Sequence, residues 1–284
     1  MLAPVQLEEK ILFLVELTCE CFLLVGKGLK HNRPGFYLEE ATMKKLSDMT
    51  AEQRQKVSDE LATPDPVDTS AVRVLYYGHS FVNHFIKWEK RHDEYQNLGF
   101  AADDVCVFYH GDGGATLQNL LQDINLEHVE RIAPEVVIVE AGTNDLFNGV
   151  FGPQTTERQT EALIRELNDR RVRFVVINQV LFRGEAAYKE LPKAERKMAK
   201  RQFQCQAVCY NLECAKRLKS RPNVMFKKHP GLWKDIDSLV NKRGVHLNDE
   251  GHFKLYNSLR SAVIRVKKII RPAKYLQPAA ELAN

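Results

Sequence analysis

The chain has 284 residues, with 44% apolar and 27% charged, which allows a full hydrophobic core and is ordinary for a globular protein. A net charge of +4 is too small to imply a nucleic-acid partner by itself, and six cysteines in a chain this long do not make a disulfide framework. Reduced thiols in a cytoplasmic protein are the expectation.

Near the N-terminus, Ile11 to Val25 is strongly apolar, but Glu16 and Glu20 interrupt it. Glu8, Glu9 and Lys10 precede it in place of a basic leader, and no small-residue cleavage site follows. The run is shorter than the ~20 apolar residues a membrane span needs. It reads as a packed helix, neither a signal peptide nor a membrane anchor. A Pro34-Gly35 turn, a polar helical stretch from Glu39 to Leu61 and the break at Thr63-Pro64-Asp65-Pro66 come next. Residues 1–69 are therefore expected to form a helical extension, and 70–284 the main domain.

From Val72 onward, strand and helix patterns alternate. Val72–Tyr77, Asp104–Tyr109, Pro134–Glu140, Arg173–Val180 and Asn223–Lys227 read as strands. The unbroken run Val136-Val137-Ile138-Val139 fits a strand buried on both faces. Phe81–Gln96, Thr116–Ile132, Thr156–Arg170, Leu191–Ser220 and Asp249–Ile269 read as helices. Such alternation predicts an α/β fold with a mainly parallel, doubly wound five-stranded sheet and helices on both faces. In such sheets, ligands bind beyond the carboxyl ends of the strands.

Four short blocks fall in one order on that frame: Gly78-His79-Ser80, Gly111-Asp112-Gly113-Gly114, Gly142-Thr143-Asn144-Asp145 and Val245-His246-Leu247-Asn248. The first three lie where strands should end. Together they supply what acyl transfer from an ester needs. Ser80 is a hydroxyl nucleophile and His246 a base. Gly114 offers a backbone N–H and Asn144 a side-chain amide to a developing oxyanion. Each also has a plainer reading: a helix N-cap for Ser80, a turn glycine for Gly114, an Asx-turn for Asn144, a cap on the last helix for His246.

The ordered blocks resemble the SGNH (GDSL-like) serine hydrolases, named for a Ser, a Gly, an Asn and a His in four blocks. The resemblance covers roughly Val72 to Val266. It implies a flavodoxin-like strand order 2-1-3-4-5, Ser80 as nucleophile, His246 as base, and Ser80, Gly114 and Asn144 as the oxyanion hole. It implies hydrolysis of a small-molecule ester through a Ser-bound acyl-enzyme, with no metal and no organic cofactor. Two positions depart from the pattern. His79 stands where the family usually has Asp, and Arg243 stands where it usually has the Asp three residues before the base. An orienting acid for His246 would then have to come from Asp237 or Asp235, or its place be taken by a main-chain carbonyl.

These departures also define the alternative, a catalytically degenerate binding module on the same fold. The basic runs Lys189–Arg201 and Arg265–Lys274 add a nucleic-acid-associated variant of it, and domains of this type occur within some mobile-element proteins. No nucleic-acid motif or interleaved aromatics accompany the basic runs, so solvated helix faces are the simpler expectation. Cys205 and Cys209 lie one helical turn apart with no second pair, which fits buried thiols and not a zinc site.

Overall fold

The computed structural model describes residues 71–271, apart from 148, 150 and 234. The expected extension, residues 1–69, lies outside them, as does the end of the second basic run. Five parallel strands form one sheet in the order β2-β1-β3-β4-β5, as the resemblance implied. They are β1 (Val72–Gly78), β2 (Val105–Gly111), β3 (Val136–Glu140), β4 (Phe174–Asn178) and β5 (Val224–Lys227). Central β3 and β4 are buried at every residue, which is why they read as unbroken apolar runs.

Helices cover both faces. Val72, Val74, Tyr76, Val136, Ile138 and Val176 face one core with α1 (Ser80–Glu89) and α8 (Asp249–Ile270). Leu75, Tyr77, Val137, Val139, Val175 and Ile177 face the other. That side is closed by α2 (Leu117–Leu120), α3 (Asp123–Ile132), α4 (Thr143–Phe147), α5 (Pro153–Asp169) and α6 (Lys193–Leu218). The period-2 alternation of each strand thus feeds two separate cores. A last short helix, α7 (Ile236–Leu239), precedes the segment that carries His246.

Two helical expectations change in detail. The helix expected over Phe81–Gln96 ends at Glu89. The chain then turns back through Asn97, Leu98 and Gly99, all at positive φ. That return stacks Tyr95 on Trp88, with ring centroids 5.2 Å apart and planes at 8°. The Asn97 side chain meanwhile bonds the backbone of Phe100, Val105 and Val107. The helix expected over Thr116–Ile132 is two helices, α2 closed by a Thr116–Asn119 capping box and α3 restarting after Gln122. The helices α4 and α7 were not expected at all.

The strand ends meet closely. A Cβ on Gly78 would fall inside the Glu140 carbonyl group, so β1 can lie against β3 there only with glycine at 78. Beside this contact the Glu140 side chain is 1% exposed and accepts from Tyr76 Oη (3.1 Å) and Asn178 Nδ2 (2.9 Å). Burial outweighs these two donors and pushes its pKa from 4.5 up to about 7. The folded state therefore holds a proton there that the unfolded chain gives up near pH 4.5. Stability from this group falls as pH rises from about 4.5 to about 7. Glu140→Gln, which keeps an acceptor for both donors, should stabilise the fold above pH 7 by up to roughly 3 kcal/mol and leave it little changed near pH 4. Urea unfolding at the two pH values measures the difference.

Candidate active site

β1 ends at Gly78, and the chain turns at once into α1. The N-cap of α1 is His79, whose Nδ1 accepts from Phe81 N at 3.3 Å. An N-cap acceptor is what an Asp at 79 would also provide, so the imidazole substitutes for it locally. Ser80 is then the first residue of the helix and not its cap, which leaves Oγ free for other partners. His79 is 1% exposed, and its pKa is lowered to about 3 by burial, then by Arg183 and His246, so the ring is neutral.

The second and third blocks are laced to the first and to each other. Asp112 N donates to Gly78 O (2.9 Å) and His79 N to Glu140 O (3.1 Å). The buried Asp145 carboxylate accepts from Leu117 N (3.0 Å), and Asn144 Nδ2 donates to Ala115 O (2.9 Å). Gly114, between these ties, sits at φ +81°, where glycine is the least strained residue. Among the described residues, neither the Gly114 N–H nor the Ser80 N–H has a hydrogen-bond partner. Asn144 spends one of its two amide hydrogens on Ala115 and keeps the other. Its amide orientation is set from the opposite side, where Arg183 Nη2 donates to Oδ1 at 3.0 Å.

His246 reaches this edge from a tight loop between α7 and α8. Val240 and Leu247 form an antiparallel bridge, Asn241 N donates to His246 O (2.7 Å), and Gly244 N to Asn241 O (2.8 Å). Gly244 is at φ +70°, and a Cβ there would lie 2.6 Å from Ala187 N. The loop therefore docks on the 183–187 segment only because that residue is glycine. The cap of α8 is Asn248, whose Oδ1 accepts from Gly251 N, so His246 is not needed for it. His246 Nε2 instead lies 2.9 Å from Ser80 Oγ.

Among the described residues, no carboxylate bonds the other nitrogen of this imidazole. Asp237, a candidate orienting acid, accepts from Glu185 N at Oδ1 (2.6 Å) and from Lys200 Nζ at Oδ2 (2.8 Å). It braces the loop beside His246 and not the ring. Asp235 is exposed and bonds through its main-chain carbonyl to Ser238. Nor does a main-chain carbonyl serve, since Ser80 is the ring's only hydrogen-bond partner among the described residues. Packing takes over the orienting role. His84 stacks on His246 at 3.7 Å between centroids and 19° between planes, and Phe81 tilts against it at 5.6 Å. Arg243 is exposed, and its guanidinium makes no hydrogen bond to the ring. Burial, then the charges of His84, Arg183, Arg243 and Lys87, lower the His246 pKa to about 4.

Two residues of this edge were missed from sequence. His84 lies four residues after Ser80, so helix geometry alone places it on the same face. Arg183 sits in an irregular segment after β4, 8% exposed, with its guanidinium 3.6 Å over the Phe147 ring. Nothing in the local pattern announces its burial. Among the described residues, no group of three His, Cys, Asp or Glu could hold a metal, and no helix is long and apolar enough to cross a membrane.

Ser80 and His246 are thus in hydrogen-bond contact where β1 leaves the carboxyl edge of the parallel sheet. The chain belongs to the GDSL-like lipase/acylhydrolase family, which it matches over residues 77–253, a stretch containing all four blocks. Solved structures share the fold. A Bacteroides fragilis protein is similar at a TM-score of 0.54 and 17% identity, over 77% of this chain and 97% of its own. A GDSL-like lipase of Bacteroides thetaiotaomicron matches at 0.54 and 19%, over 75% and 97%. A carbohydrate esterase of family 3 from Talaromyces cellulolyticus matches at 0.50 and 13%, over 69% and 98%. No curated protein matches the chain.

Burial first, and then the surrounding cations, should keep His246 neutral down to about pH 4, well below the ordinary 6.5. Arg243→Asp should move its titration upward. Histidine-selective NMR pH titration of wild type and variant reads both; a wild-type midpoint near 6.5 would contradict the site's electrostatics.

Proposed function

We propose that this chain is a serine acyl hydrolase that cleaves a small-molecule ester through a Ser80-bound acyl-enzyme. The observation that carries the reading is the 2.9 Å contact between Ser80 Oγ and His246 Nε2. His246 is neutral at physiological pH, so Nε2 can accept the Ser80 proton as Oγ attacks the ester carbonyl. The carbonyl oxygen becomes an oxyanion, received by the N–H groups of Ser80 and Gly114 and the spare Asn144 amide hydrogen. As the intermediate collapses, the C–O bond to the alcohol breaks and His246 returns the proton to the departing oxygen. Water then attacks the acyl-enzyme with His246 again as base. The carboxylic acid leaves, and Ser80 recovers its proton.

A base with no carboxylate behind it works at a disadvantage. In a triad, the acid fixes the tautomer and stabilises the imidazolium, and its loss costs ~10⁴ in rate elsewhere. Here the His84 stack holds the ring plane but supplies no negative charge. The same observation favours the second reading, a binding module on this fold whose chemistry has decayed.

Hydrolysis of 4-nitrophenyl acetate separates the two. The acyl-hydrolase reading expects nitrophenolate release by wild type that is abolished in Ser80→Ala. In Asn144→Ala, kcat should fall by roughly 10²–10³, the usual cost of one oxyanion donor. A folded wild type whose rate equals that of Ser80→Ala would leave the binding module as the reading.

A further inference from the structure

The Arg183 guanidinium is a buried charge with no counter-charge among the described residues. It is 8% exposed, and no carboxylate bonds to it among the described residues. Of its five N–H donors, one is used, on Asn144 Oδ1, and Nε lies buried with no partner. Stacking on Phe147 offsets part of the desolvation of a cation but not all of it. The placement is also tightly specified. Gly184 N donates to Gly244 O at 2.8 Å, and a Cβ at Gly184 would lie 2.7 Å from Val240 and 3.0 Å from Asp237. The segment that carries Arg183 is therefore packed against the loop that carries His246, while its side chain holds Asn144. The other cations bearing on His246 are Arg243 and Lys87, and among the described residues no acid offsets them.

A buried, unpaired guanidinium fixed at the edge of a reaction site is suited to a planar anion, which it can grip through two parallel N–H bonds. We propose that Arg183 forms a subsite for an anionic group of the substrate, so that the preferred esters carry a carboxylate or a phosphate near the scissile bond. This rests on the acyl-hydrolase reading and names its substrate class. The bound anion would supply the negative charge that the site lacks beside Arg183 and His246. Esters with no charge would leave Arg183 unpaired and bind less tightly.

Binding to the Ser80→Ala protein tests this apart from turnover. Three esters of one chain length serve as probes: monobutyl glutarate, its uncharged amide counterpart butyl 4-carbamoylbutanoate, and the phosphate ester butyl 4-phosphonooxybutanoate. Calorimetry should show at least one anionic probe bound roughly 10- to 100-fold more tightly than the amide, the range for a charge-assisted hydrogen-bonded contact. Whichever anion binds tighter identifies the group. Adding Arg183→Gln should collapse that ratio while the amide's affinity changes far less, and Arg183→Lys should retain part of it. A purely positional role on Asn144 would weaken all three probes alike. Equal affinity for charged and uncharged probes in Ser80→Ala, or a preference that persists without Arg183, would overturn the proposal. The first comparison needs no Arg183 variant to fold. Turnover of the same esters by wild type reads the other question. Turnover without anion preference removes the subsite and keeps the hydrolase, whereas anion preference without turnover does the reverse.

Discussion

The close approach of β1 and β3 at Gly78 and Glu140 governs the geometry of this molecule. With no Cβ at 78, the two strands end flush, and His79 N can bond the Glu140 carbonyl just as the chain leaves the sheet. That bond starts α1 where it does and puts Ser80 at its first position. From there the lacing continues outward. Asp112 ties the second block to Gly78, and Asp145 and Asn144 tie the third block to the second. Of the candidate oxyanion donors, Asn144 is thus held by a hydrogen bond in a buried setting, where such bonds resist reorganisation, while Gly114 is exposed between these ties. Glu140 shows the tension in this arrangement, since its carboxyl is buried deeply enough to hold a proton near neutral pH.

The fourth block is held differently. The His246 loop is closed on itself by the Val240–Leu247 bridge and seated against the 183–187 segment, with glycines at the two contacts that allow no side chain. The ring is oriented by stacking on His84 and by Ser80, not by an acid. The two departures from the family pattern have unequal consequences. His79 replaces an N-cap acceptor with another N-cap acceptor and changes little. Arg243 replaces an anion with a cation, and nothing among the described residues restores the charge. The site is consequently cationic around its base, and Arg183 is the most buried part of that field.

The sheet was legible because its strands are apolar runs punctuated by glycine, and the unbroken Val136–Val139 run could only be central. The Ser80–His246 contact was legible because three blocks sat at strand ends, and parallel sheets bring those ends to one edge. What could not be read were the decisions made by tertiary contact. The turn after Glu89 depends on Tyr95 stacking on Trp88 and on Asn97 bonding β2, which a helical hydrophobic pattern does not encode. Asp237 was near His246 in sequence but is drawn away by Lys200, a residue on another helix. Arg183 carries no motif, and an arginine in an irregular segment is ordinarily a surface residue. His84 is the one omission the spacing could have supplied, four residues from the serine on the same helix face.

The central claim is that Ser80 is activated by His246 without a carboxylate. Covalent labelling with a fluorophosphonate probe, mapped by peptide mass spectrometry, tests this most directly, because it needs no knowledge of the natural ester. The account predicts a single adduct on Ser80 that is lost when His246 is replaced by Gln with the fold intact. Absence of labelling in folded wild-type protein, or labelling of Ser80 that proceeds equally well without His246, would contradict it.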